Sequence, residues 1–228
     1  PGHEMKQAAS AQVMDEARHL DVFTRYVRRQ GEIFPPSPPL KRILDMIARY
    51  PLWQGQMVGM QIVIEGIAMA TFIDTREATT CPLLKDILHL VIKDEARHIS
   101  FGKMSLRQHI ELMSIEERAQ LDSFIIQLLQ EFQAWGGHPE DMLNFCQILI
   151  EADIDPTDMI SATLRDVEAG QPLNLSRGMR YAFTHIILPN LQDLGLVSPE
   201  KTNSILQAMP TTQMDFASLD RLKNQLLA

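Results

Sequence analysis

Asp94-Glu95-Ala96-Arg97-His98 repeats, residue for residue, the earlier stretch Asp15-Glu16-Ala17-Arg18-His19. In each copy Glu and His stand three apart, which on a helix places them on neighbouring points of one face. Both copies lie inside long segments whose apolar residues recur with a 3.6-residue period. Glu16 and His19 continue the stripe Ala9, Val13, Leu20 and Phe23, while Glu95 and His98 continue Leu84, Leu88, Val91 and Gly102. The ionisable groups therefore fall on faces expected to be buried, where an uncompensated carboxylate is strongly unfavourable.

A third carboxylate points the same way. Glu65 interrupts the most apolar run, 62–73, on the stripe Val58, Ile62, Ala68, Met69 and Phe72. It lies 30 positions before Glu95, with Thr80 midway in the turn Thr79-Thr80-Cys81-Pro82. A helical hairpin closing at Thr80 brings Glu65 and Glu95 to the same height, facing each other. One Glu from a helix and a Glu-x-x-His from its antiparallel neighbour form half of the carboxylate-bridged dimetal site of ferritin-like bundles, and the other pentapeptide supplies most of the second half. Carboxylate and imidazole donors without thiolate suit iron or manganese, and two such ions together suit O2 activation.

The rest of the chain fits an all-α, ferritin-like bundle. Glycine is scarce (11 of 228 residues), and most of the 13 prolines cluster between helical stretches. Helices are expected at 4–30, 40–50, 51–78 and 82–113. A capping box, Ser114-Ile115-Glu116-Glu117, then opens a helix that stops at Gly136-Gly137. Shorter helices start at His138-Pro139, Asp155-Pro156 and Ser198-Pro199, with Gly170 and Gly195 as stops. This divides the chain into a dimetal bundle at 1–135 and a C-terminal helical extension, 136–228, packed on it.

The same spacing bears on how the chain opens. Thirty positions before Glu16 falls at −14, ahead of Pro1-Gly2-His3, and no initiator methionine is present. The expectation is a preceding bundle helix that carries the sixth ligand. Composition narrows the partners. With 21 basic and 29 acidic side chains, a net charge of −8 and no basic cluster, a nucleic-acid partner is not expected. Cys81 and Cys146 stand 65 apart, which excludes a disulfide framework and paired-cysteine zinc patterns and makes a cytoplasmic setting the default. The run at 62–73 is short of the ~20 residues that cross a bilayer, so neither a membrane span nor a signal peptide is expected.

The two pentapeptides with Glu65 resemble the di-iron-carboxylate superfamily that includes ribonucleotide reductase small subunits, their ligand-binding oxidase relatives, aryl-amine N-oxygenases and bacterial hydrocarbon monooxygenases, over residues 5–108. The resemblance implies that Glu16, His19, Glu65, Glu95 and His98 ligate two iron ions, or a manganese and an iron, with O2 as co-substrate. Asp15 and Asp94 would accept hydrogen bonds from the ligand imidazoles, and Arg18 and Arg97 would hold those aspartates. It also implies a small-molecule substrate, organic or lipid-like, and an external electron donor, and it permits a homodimer.

No subfamily matches in full. Phe23 stands where ribonucleotide reductases carry the radical tyrosine. Met60 replaces the cross-linking tyrosine of the ligand-binding oxidases, and Val91 the additional histidine of the aryl-amine N-oxygenases. Phe23, Met60, Met69 and Phe72 are candidate substrate-pocket residues, while the methionines also suit core filling. His89 reads as a structural histidine, and His3, His109, His138 and His185 as surface or cap residues. Cys81 reads as a small packed residue without a neighbour to activate it. The function expected is an O2-activating oxidase or oxygenase. The alternatives are a ferroxidase that handles iron, a radical-generating subunit disfavoured by Phe23, and a metal-free helical interaction domain.

Overall fold

A computed structural model describes residues 2–133, 139–158, 160–161, 165, 181–198 and 200–201. These form α1 (His3–Val27), α2 (Pro38–Arg49), α3 (Trp53–Met57), a π-helical stretch Val58–Ile64, α4 (Glu65–Ala78), α5 (Pro82–Glu111), α6 (Ile115–Gln133), α7 (Pro139–Glu151), a second π-helical stretch Ala182–Ile187 and α8 (Leu188–Asp193). No strand occurs among the described residues. The all-α architecture expected of the sequence is the one that forms.

Local chemistry sets the boundaries. Pro82 opens α5, where its missing N–H is no loss, and Cys81 before it is extended. Thr79 is extended too, and its hydroxyl accepts the Cys81 N–H at 3.2 Å. The chain therefore reverses at the expected hairpin around Thr80. Ser114 and Glu117 make the reciprocal capping box. Glu117 N–H donates to the Ser114 hydroxyl at 3.1 Å, and Ser114 N–H donates to the Glu117 carboxylate at 2.9 Å. Gly195 ends α8 with φ of +66°. There Leu196 N–H reaches Leu191 C=O and Gly195 N–H reaches Gln192 C=O, a pattern that needs a left-handed residue and hence glycine. Gly136, Gly137, His138 and Gly170 lie outside the described residues.

Two compact units emerge. The first comprises Pro1–Phe34, Ile47–Ile125 and Leu175–Thr202, and the second Pro35–Met46, Ile126–Asn174 and Asn203–Ala228. In the second, Ile43, Leu128, Leu129, Phe132 and Cys146 are buried, and Arg42 pairs with Glu131 at 2.7 Å. In the first, α4 lies against α5 along the hairpin, α1 lies against α5, and the second π stretch packs on α4, where Ile186 and Ile187 meet Gly66. Part of the stretch assigned to a C-terminal extension thus belongs to the same unit as both pentapeptides.

The helix from Trp53 to Ala78 is continuous and, at 26 residues, long and apolar enough to cross a membrane by length and composition alone, further than the 62–73 run suggested. Within the fold its apolarity is met by burial in part, with 44% of the apolar window buried. Val58, Ile62 and Val63 are fully enclosed, and Glu65, in its middle, is buried as well. One expectation fails on α1, where Val13 is 68% and Leu20 71% exposed. The apolar stripe of α1 is present, but only its His19 is buried.

Candidate metal centre

α1 and α5 run antiparallel past each other, so the two pentapeptides meet in reverse register. His19 Nε2–H donates to Asp94 Oδ2 at 3.0 Å, and His98 Nε2–H donates to Asp15 Oδ2 at 3.3 Å. Each aspartate therefore serves the histidine of the other copy. Each also holds both arginines. Arg97 reaches Asp94 at 2.6 Å and Asp15 at 3.1 Å, while Arg18 reaches Asp15 at 2.9 Å and Asp94 at 2.5 Å. Asp15, Arg18, Asp94 and Arg97 thus come together around the two imidazoles, each aspartate paired with the histidine of the other copy.

With both Nε2 atoms engaged outward, both Nδ1 atoms face inward. His98 Nδ1 is 3.0 Å from Glu95, 3.0 Å from Glu16 and 3.8 Å from Glu65. His19 Nδ1 is 3.4 Å from Glu95 and 3.5 Å from Glu16. Glu16, Glu65, Glu95 and His98 each offer a donor atom, all within 4.8 Å of one another. The two imidazole centroids are 6.1 Å apart. All five residues expected to be ligands therefore meet, with Glu65 and Glu95 at one height as the hairpin spacing requires. Glu16 departs from expectation in one respect, being 46% exposed in its side chain, whereas Glu65, Glu95 and Asp94 are buried.

The electrostatics are those of carboxylates crowded together and buried. Burial, then the adjoining Glu95 and Glu16 carboxylates, push Glu65 up to about 10, against a hydrogen bond from Gln12 at 3.1 Å. Burial would raise Glu95 as well, but hydrogen bonds from His98 and from the protonated Glu65 outweigh it and hold Glu95 below its ordinary value. The same contest at Asp94 is won by His19, Arg97 and Arg18, which keep it ionised. For His98, burial favours the neutral ring, but its bonds to Glu95 and Asp15 override that and raise it. Protons on Glu65 and His98 thus stand where positive charge is wanted.

Whether a metal suits these residues can be read from His19. Its Nδ1 is buried and has no hydrogen-bond partner. Since Nε2 carries the proton given to Asp94, Nδ1 presents a lone pair to a cluster of carboxylates, which offer no fixed proton to it. That pairing is unfavourable between protein groups and favourable toward a cation. The donor set of three carboxylates and two imidazoles, without thiolate, fits iron or manganese.

A cavity of about 1020 Å³ opens beside the cluster. Glu16, His19, Glu65 and Glu95 form part of its wall. Phe23 and Phe72 stack at one end with centroids 5.4 Å apart, while Met5, Lys6, Trp53 and His109 line the other. Of the expected pocket residues, Phe23, Met60 and Phe72 line it and Met69 does not. Met69 follows Glu65 in the regular turns of α4, on the other side of Glu65 from the lining residues Ala68 and Phe72. The π stretch lies before Glu65. Its wider turn changes the helix phase just ahead of Glu65, so Gln56, Met57, Met60 and Gln61 face the cavity while Val58 and Ile62 point into the core.

Gln12, Gln61 and His109 are among the cavity residues that the motifs did not single out. Gln12 and Gln61 stand four before Glu16 and Glu65, and His109 stands 14 after Glu95, all within one helical face of a ligand. Face position alone would have found them. His109 is no simple surface residue, since it meets the edge of Trp53 at 4.8 Å and its Nδ1–H donates to Ser105 C=O at 2.9 Å. His89, read as structural, is exposed. Cys81 does have neighbours that act on it. The backbone N–H of Leu84, then the Tyr26 hydroxyl, draw its thiol below the ordinary range.

A family model described as p-aminobenzoate N-oxygenase AurF matches residues 1–140 of the chain. No curated protein and no solved structure matches it.

Proposed function

Because the chain belongs to the p-aminobenzoate N-oxygenase AurF family, we propose that it is an O2-dependent di-iron oxygenase or oxidase acting on an organic molecule taken into the apolar cavity. The observation that carries this reading is the convergence of both pentapeptides with Glu65, leaving the buried His19 Nδ1 without a partner. Glu16, His19, Glu65, Glu95 and His98 would hold two iron ions, or manganese and iron. Bound there, the ions would supply the redox chemistry that activates O2. Asp15 and Asp94, clamped by Arg18 and Arg97, accept from each Nε2–H and so would leave Nδ1 as the ligand atom of each imidazole, at His98 in place of the proton now shared with Glu95.

The chain's own residues would also set what reacts. Phe23, Phe72 and Met60 give the cavity an apolar wall that keeps water from the cluster and accepts an aromatic or aliphatic body. Glu16, half exposed where the cluster borders the cavity, is the carboxylate best placed to move aside for a substrate group. A cytoplasmic setting and an external electron donor complete the proposal. An iron-handling role is the weaker reading, because an organic-sized apolar cavity serves no purpose when the substrate is iron.

Metal analysis of the purified full chain grown with excess iron tests this. About two Fe, or Mn plus Fe, per chain are expected, with reduced occupancy in Glu16→Ala and His98→Ala. A chain without transition metal would overturn the reading. Metal-bearing protein that consumes O2 without oxidising any added arylamine, fatty acid or hydrocarbon would overturn its oxygenase half.

A further inference from the structure

Both ligand histidines are reached from solvent through a single layer of charged side chains. Arg18 and Arg97 expose 60% and 61% of their side chains, Asp15 and Asp94 beneath them 17% and 9%, and His19 and His98 beneath those 7% and 3%. Each guanidinium bonds to an aspartate and each aspartate to an imidazole, so two hydrogen bonds lead from the surface to the cluster. None of the four charged residues lines the cavity. Around them the surface is apolar. Leu90 and Met104 stand seven residues to either side of Arg97, two turns away along one line of α5, and Met14 stands one turn before Arg18 on α1. These three are 61%, 76% and 74% exposed. Single exposed apolar residues are ordinary, but three large ones around a pair of guanidinium groups have the composition of a protein interface, in which Met and Arg are enriched.

The chain carries a net charge of −8, yet this face presents cations. Asp15 and Asp94 lie under the arginines that hold them, Asp21 is paired with Arg25 at 3.0 Å, and Lys93, one turn before Arg97, adds an exposed ammonium. Asp86 is 11 residues from Arg97, about 16 Å along α5. A second copy packed here by two-fold symmetry would set guanidinium against guanidinium, so the face fits an acidic partner. We propose that the outer face of α1 and α5, centred on Arg18 and Arg97, docks an acidic one-electron carrier protein, which passes electrons inward along the two aspartate and histidine pairs. This rests on the di-iron reading of the cluster and gives its external electron donor a place to bind. The cavity stays free for the organic molecule. Each encounter oxidises the carrier by one electron, and two encounters reduce two ferric ions to ferrous with no bond made or broken. Redox encounters of this kind bury little area, which suits a patch of five or six side chains.

The test titrates the full chain into fluorescently labelled plant-type [2Fe–2S] ferredoxin and flavodoxin, both acidic one-electron carriers, and follows anisotropy at low ionic strength. At least one carrier should bind, and more weakly as salt is added. Lys93→Glu and Met104→Glu, both at exposed positions outside the cluster, should each raise its Kd about five-fold or more. Lys41→Glu on α2 should leave it unchanged. In iron-loaded protein the carrier should reduce both variants more slowly by a similar factor, while dithionite, which needs no docking, reduces them as fast as wild type. Absence of binding by both carriers, binding untouched by both substitutions, or an equal loss in Lys41→Glu would each overturn the proposal. Self-association of the chain that Met104→Glu abolishes would assign the face to a second copy instead. Iron content is measured on the same samples. Failure to load iron sinks the di-iron reading, while the anisotropy series still decides whether the face docks an acidic carrier.

Discussion

Replacing Glu65 with glutamine should make the metal-free chain more stable while removing its capacity to hold metal. Glu65 is pushed from an ordinary value of 4.5 up to about 10 by burial and by Glu95 and Glu16. At neutral pH the native state therefore keeps a proton that the unfolded chain has released. Below 4.5 both states carry the proton and the group is neutral in its effect. As pH rises, each further unit costs the native state about 1.4 kcal/mol relative to the unfolded one, so at pH 7 the penalty is at most about 3.5 kcal/mol. Glutamine is neutral at every pH, has the same shape, and its Nε2–H can still donate to Glu95.

The expected gain at pH 7 is about 1–3 kcal/mol, a rise in melting temperature of about 2–12 °C for a chain of this size. Urea denaturation of chelator-treated wild type and Glu65→Gln, followed by circular dichroism from pH 5 to 8, measures it. The gap should be small at pH 5 and widen with pH. A gap that is flat with pH, or a variant less stable than wild type at pH 7, would refute the buried, proton-holding Glu65. Iron content of the same variant, prepared without chelator, should fall.

The other expectations follow from the same geometry. Loading metal should stabilise the wild type by about 3 kcal/mol at a free concentration 100-fold above the dissociation constant, and a chelator should reverse the shift in melting temperature. Because Asp94 hydrogen-bonds His19 rather than the histidine of its own copy, a double-mutant cycle of metal affinity should couple Asp94→Ala to His19→Ala and not to His98→Ala, with Asp94→Ala alone weakening binding about 10–100-fold. Gly102→Ala should destabilise by about 1–3 kcal/mol in urea, since the new methyl meets Gln61. Ser114→Ala should cost about 1 kcal/mol by removing one half of the capping box.

What the sequence revealed of the site follows from helix geometry. Helices have a fixed rise, so 15 residues on either side of Thr80 place Glu65 and Glu95 level, whatever else the chain does. Proline at position 82 and the Ser114 box likewise act through neighbouring atoms and could be read directly. The π stretch could not. It is a change in helix phase that no residue type in 58–64 announces. Burial was the second limit. The stripe on α1 says that Val13 and Leu20 are apolar, not that any described element covers them, and they are exposed. Gln12 and Gln61 carry no signal of ligand chemistry, since their amides are neither acids nor the carboxylate and imidazole donors of the motif.

The pentapeptide itself gains a physical explanation from the crossing of α1 and α5. Asp and His stand four apart, one helical turn, so two antiparallel copies in register set each Asp opposite the other copy's His. The motif is complementary to itself, as the surface of a two-fold interface must be. Glu lies between them on the inner side, and Arg, facing out, spans to both aspartates. Neither copy can complete its own imidazole, so neither is a half-site that could work alone. A substitution in α1 must therefore disturb the ligand carried by α5, and tuning one histidine without the other requires changing the opposite helix. That coupling gives a reason for the two copies to share the same five residues, while the stripes flanking them on α1 and α5 differ.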